Sequence, residues 1–194
     1  MRMITARQAW HDAFNDTLSP DLVSTLMNLS RGTAHDQDAK KWHQMLAGKV
    51  QHAASNLPAH LHDWGMLCFA PDTFRTVQQY NRVENELWRQ FKLTETYQRY
   101  PTQSIPMMTL CRMAVEQQIH REQSGRERFT QADCYGRLHL AKHEWERHGM
   151  RDAWSVLIDI ISDWTGWTLE PVAQLIEEFK EARGEWTSVR GTSI

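Results

Sequence analysis

The chain has 194 residues, 41% of them hydrophobic and 24% charged, with a formal net charge of −2. A chain of this size can bury roughly 70% of its unfolded surface, so it needs neither a disulfide nor a metal to hold its fold. The near-neutral charge excludes long-range attraction to nucleic acid or an anionic membrane, no stretch approaches the length of an apolar span, and Cys68, Cys111 and Cys134 form no C-x-x-C pair, so a cytoplasmic protein without a cofactor is expected.

From the N-terminus, Thr5-Ala-Arg-Gln8 matches a capping box and opens a helix with Trp10 and Phe14 four residues apart. Ser19-Pro20 reads as an N-cap with proline in the first turn, followed by the stripe Leu22, Val23, Leu26, Met27 and Leu29, which Gly32 ends. Residues 36–56 carry Trp42, Met45, Leu46 and Val50 at helical spacing. Pro58 restarts the chain, and Leu61, Trp64, Cys68 and Phe69 mark a short helix. Pro71-Asp72-Thr73 reads as a break and a cap at Asp72. Beyond it Phe74, Val77, Tyr80, Leu87 and Phe91 predict one long amphipathic helix ending near Lys92.

Pro101 and Pro106 bound an irregular connection, which divides an N-terminal helical part, 1–100, from a C-terminal part, 101–184, packed with the first as one unit. A helix follows with Leu110, Met113, Ala114 and Ile119, then a polar loop at 121–129. Thr130 caps a helix that Gly149 ends. Residues 151–165 are apolar over most of a helical circumference, which predicts a central helix. Thr168 caps a last helix, with Pro171 in its first turn and Gly184 at its end, and 185–194 read as a tail. With no sustained β alternation and no Asn-Gly or Asp-Gly turn, the expected fold is all-α, an irregular bundle of about eight or nine helices.

The catalytic motifs are missing. The only Gly-Lys pair, Gly48-Lys49, has His43 where a phosphate-binding loop has its first glycine and Val50 where it has Ser or Thr. There is no G-x-S-x-G elbow, and Cys134 reads as core. In His60-Leu-His62-Asp63 the two histidines would diverge by roughly 160° around a helix. His139, His143 and Glu146 are the metal candidates: on one continuous helix His143 lies about 40° to one side of His139 and Glu146 about 20° to the other. The plainer reading of that trio is a solvated polar face, and no catalytic residue is assigned.

Two binding candidates follow. Arg121, Arg126 and Arg128 with His120 form a basic loop, diluted by Glu122 and Glu127, suited to weak or indirect DNA contact. Nine tryptophans favour packing and protein contact. Trp164, Trp167, Val172, Leu175, Ile176 and Phe179 are the candidate partner-binding residues, backed by an acidic face of Glu177, Glu178 and Glu181. The same stripe could instead complete the core.

The opening segment, Ile4-Thr-Ala-Arg-Gln-Ala-Trp-His-Asp-Ala-Phe-Asn-Asp-Thr-Leu-Ser-Pro-Asp21, and Leu57-Pro-Ala-His-Leu-His-Asp-Trp64, with the size and Trp-rich helical character, resemble replication protein B of temperate enterobacterial phages. The resemblance lies mainly in the first third and rests on no diagnostic motif, so no functional residue is carried over. It implies a non-enzymatic helicase loader, which binds the host replicative helicase and helps place it on phage DNA. The alternatives are a phage regulator or inhibitor of another host complex, and a metal-dependent helical protein using His139, His143 and Glu146.

Overall fold

The computed structural model describes residues 5–15, 33–100 and 104–191. Among them are nine α-helices and no strand: α1 (Ala6–Phe14), α2 (Thr33–Ser55), α3 (Ala59–Cys68), α4 (Val77–Phe91), α5 (Glu95–Arg99), α6 (Ser104–Ser124), α7 (Gln131–Arg137), α8 (Lys142–Arg147) and α9 (Met150–Gly191), with a 3-10 turn at Asp72–Phe74. The protein is an all-α multi-helix bundle. The helix expected after Ser19-Pro20 lies outside the described residues, as does the segment 101–103.

Caps start the helices where side chains can reach orphan N–H groups. The Thr5 hydroxyl accepts from the Gln8 N–H at 3.2 Å. Thr130 accepts from the Asp133 N–H at 3.3 Å, while Asp133 accepts from the Thr130 N–H at 2.7 Å. The cap expected at Asp72 is displaced. Thr76 opens α4, its hydroxyl accepting from the Gln79 N–H at 3.2 Å and Gln79 Oε1 accepting from the Thr76 N–H at 2.8 Å. Asp72 instead begins the 3-10 turn, and Val77 is 77% exposed, so Phe74 and Val77 do not belong to the apolar stripe of α4. That stripe is Val83, Leu87 and Phe91. Helix α5 was not anticipated; Thr94 caps it through the Tyr97 N–H at 3.3 Å.

Two boundaries in the C-terminal half are corrected. The helix expected between Thr130 and Gly149 breaks at its middle. Leu138 and Leu140, two residues apart, both pack on the core, and His139 between them turns outward with φ +54°. An unbroken helix would place those two leucines roughly 160° apart. Helix α8 then restarts as Glu144 accepts from the Ala141 N–H at 2.8 Å. Gly149 does stand at a boundary, with φ +65°.

The larger correction is α9. Residues expected as two helices form one of 42 residues, with Pro171 inside it and Gly184 passed without a stop, so 185–191 continue the helix rather than beginning a tail. Thr168 caps nothing; it is buried, and its hydroxyl donates to the Leu61 carbonyl at 3.2 Å. A proline inside a helix costs about 3 kcal/mol or more. Burial of Ala153, Leu157, Ile161, Trp164, Val172 and Ile176 on one face of α9 offsets it. Helix α9 packs against α1 to α6 and α8 and is the centre of the bundle.

One close approach fixes α1 on α3. Trp10 is fully buried, edge-on to Phe69 at 6.2 Å, and its ring lies over Gly65, where an added Cβ would sit 2.2 Å from Trp10 Cζ2. Gly65→Ala should therefore destabilise by about 1–3 kcal/mol despite the better helix propensity of alanine. Urea unfolding of the variant checks this, and an unchanged midpoint would show that α1 is free to shift.

Candidate functional site

The metal candidates do not assemble. His139 sits in the turn between α7 and α8, so it shares no helical face with His143 and Glu146, and Glu146 pairs with Arg151 at 3.3 Å. Among the described residues no three His, Cys, Asp or Glu side chains are placed to share a metal ion. Cys68, Cys111 and Cys134 are all buried as free thiols. Burial pushes each thiol up, Cys134 to about 11, so none supplies a thiolate near neutral pH.

His60, His62 and Asp63 belong to a polar seam between α3, α4 and α9. Asp63 is buried and receives a two-pronged contact from Arg82, 2.6 and 2.8 Å. The His60 ring lies 5.1 Å from the Trp164 ring, and burial lowers its pKa. Trp164 Nε1 donates to Gln90 Oε1 at 3.3 Å, and Trp64 Nε1 donates to Thr165 Oγ1 at 3.0 Å. Arg89 donates to both Glu86 oxygens, at 2.7 and 2.6 Å, and holds that carboxyl at about 2. Asp63, Arg82, Glu86, Arg89, Gln90 and the two indole N–H groups are spent on one another or on Thr165, and the arrangement joins helices.

The Glu86 contact has a pH signature. Its folded pKa lies below the unfolded value of about 4.3, so its contribution to stability is full above that value and is lost as the pH falls toward about 2. Glu86→Gln should show a smaller drop in melting temperature between about pH 5 and pH 2 than the parent chain. Parallel slopes in the two proteins would contradict the assignment.

The predicted basic loop is partly committed to the fold. Helix α6 runs on to Ser124, so Arg121 lies in its last turn and only 125–129 form the loop. Arg128 pairs with Glu116 at 3.3 Å and lies over the Phe129 ring at 5.2 Å. Arg137, which sequence reasoning did not single out, covers the same ring at 4.5 Å. Gln117 Oε1 accepts from the Arg128 and Phe129 N–H groups, both at 2.8 Å, which pins the loop. Arg121 and Arg126 are exposed.

The six candidate partner-binding residues separate on α9. Trp164, Val172 and Ile176 are buried in the bundle, and Leu175 and Phe179 are half-buried, with Lys49 of α2 over the Phe179 ring at 5.0 Å. Trp167 is 52% exposed, whereas Trp10, Trp64, Trp145 and Trp164 are buried. Gly166 beside it is exposed, with no atom within 4 Å of the position a Cβ would take. Pro171 has no N–H, so the Trp167 carbonyl four residues back lacks the donor a regular helix would supply.

Opposite the buried face lies a carboxylate stripe that sequence reasoning missed in its first half. Asp152, Asp159, Asp163, Glu170, Glu177 and Glu181 are all exposed. Their spacings of 7, 4, 7, 7 and 4 keep them within about 40° of one another around the helix. Glu177 pairs with Lys180 at 2.5 Å, and Gln174 donates to Glu170 at 3.4 Å. No ion pair within the described residues involves Asp152, Asp159, Asp163 or Glu170. The signal was the spacing itself, hidden by reading Thr168 and Pro171 as a helix boundary.

No helix among the described residues is long and apolar enough to cross a membrane. Comparison of the chain with protein-family models, curated proteins and solved structures finds no match.

Proposed function

We propose that the protein is a non-enzymatic helical adaptor, and that its task is the one the resemblance to replication protein B implies: binding a host replicative helicase and helping to place it on phage DNA. The supporting observation is Trp167. Half of a large apolar ring stands in water on the central helix, in a bundle that buries four other tryptophans. Tryptophan is enriched, with tyrosine and arginine, among the side chains that anchor protein interfaces, and truncation of such an anchor costs about 2 kcal/mol or more, roughly thirtyfold in affinity. The neighbouring Gly166 and Pro171 both lower helix stability, and at Gly166, which is exposed, an isolated bundle gains nothing in return.

The test is affinity capture with purified enterobacterial replicative helicase, using the full chain, Trp167→Ala and Phe179→Ala. The adaptor reading expects capture by the parent chain, a loss of about thirtyfold with Trp167→Ala, and an unchanged melting temperature for that variant. A smaller loss with Phe179→Ala, accompanied by lower thermal stability, would follow from its half-buried position against Lys49. No capture of the helicase by the parent chain would reject the loader assignment.

A further inference from the structure

If the protein is the adaptor proposed above, the outer face of α9 has a chemistry that narrows what can cover it. The carboxylate stripe runs over 29 residue steps from Asp152 to Glu181, about 44 Å at 1.5 Å per residue. Like charges four residues apart on a helix, as at Asp159 and Asp163 and again at Glu177 and Glu181, destabilise it. Between 152 and 181 the chain carries seven carboxylates and one lysine. A bundle gains no stability from such a face.

Three further features lie within or beside the stripe near its middle: the half-exposed Trp167 ring, the open surface at Gly166 and the Trp167 carbonyl left without a helical donor by Pro171. Together they offer an apolar anchor on open surface, beside a locally weakened helix and flanked by negative charge. Nucleic acid and anionic membrane are repelled by this field. The chain segments outside the described residues hold two cations, Arg2 and Arg31, too few to match the stripe.

We propose that the outer face of α9 docks a lysine- or arginine-rich amphipathic helix of a partner protein, with Trp167 as the apolar anchor and Asp159, Asp163 and Glu170 as the pairing charges. A helix is the occupant because the carboxylates recur at 7 and 4 residues, the spacing at which a second helix laid alongside presents its own side chains. Charge pairing of this kind sets register and raises the association rate, and the aromatic anchor slows release.

The probe is a fluorescently labelled synthetic helix of lysine, leucine and alanine with its lysines on one face, titrated into the full chain at low ionic strength. Saturable binding that weakens with added salt is expected, together with about tenfold weaker binding both by Asp159→Asn/Asp163→Asn/Glu170→Gln and by Trp167→Ala. Neutralising two carboxylates off this face, Glu95→Gln with Glu127→Gln, should leave binding unchanged. These are surface changes, and circular dichroism should show intact helix in each. A charge-reversed chain, Asp163→Lys with Glu170→Lys, should prefer a glutamate version of the peptide, a gain that misfolding does not mimic.

Absent binding, or equal weakening by the on-face and off-face variants, would overturn the proposal. So would a parent chain that light scattering shows to be a salt-sensitive dimer dissociated by the triple variant, since a second copy would then be the occupant. Helicase capture separates this proposal from the adaptor reading. Capture unaffected by the triple variant leaves the adaptor standing and rejects this face. Peptide binding without helicase capture keeps the face and rejects the loader.

Discussion

Trp164→Ala should lower the stability of the protein by about 3–5 kcal/mol. The ring is fully buried and meets Trp64 edge-on at 6.4 Å and His60 at 5.1 Å, and its N–H reaches Gln90 at 3.3 Å. Truncation leaves a cavity where α3, α4 and α9 converge and strands the Gln90 carbonyl oxygen, so packing and hydrogen bonding fail together. Trp167→Ala, three residues on, should change stability by no more than about 0.5 kcal/mol, as surface changes do. Urea unfolding of the two variants makes the comparison. Similar midpoints would mean that the two tryptophans do not occupy opposite environments.

Gly149→Ala should cost about 2–4 kcal/mol, from two separable sources. The backbone at Gly149 has φ +65°, which costs a residue with a Cβ about 1 kcal/mol or more. A Cβ there would also sit 2.2 Å from Cε2 of Tyr100, and displacing a packed ring adds about 1–3 kcal/mol. Gly125 isolates the first source: its φ is +69° and nothing lies within 4 Å of the added atom. Gly125→Ala should therefore cost only the backbone share. Equal losses at the two glycines would remove the Tyr100 contact from the account.

Helix capture by sequence pattern worked where the information was local. The Thr5 and Thr130 caps and the restart at Pro58 each depend on groups within four residues. The site was less legible. Trp164 and Trp167 are indistinguishable by residue type, and a three-residue step is enough to put one against Gln90 and the other in water. The acidic stripe is written in the spacing from Asp152 to Glu181, but it is a stripe only if the helix does not stop between Asp163 and Glu170.

The sequence by itself determined that the chain is all-α, through apolar spacing near 3.6 residues and caps that satisfy orphan N–H groups, both of which are short-range. Only the tertiary structure decided where helices stop. Thr168 and Pro171 carry the local signature of a helix start, yet Thr168 gives its hydroxyl to Leu61, 107 residues away, and the helix passes through Pro171. Between Thr130 and Gly149 the opposite happened, and a pattern that reads as one helix broke at His139 so that Leu138 and Leu140 could both reach the core. In each case burial of side chains against distant helices outweighed a local preference of about 1–3 kcal/mol. That balance depends on partners remote in the chain, which no window of the sequence contains.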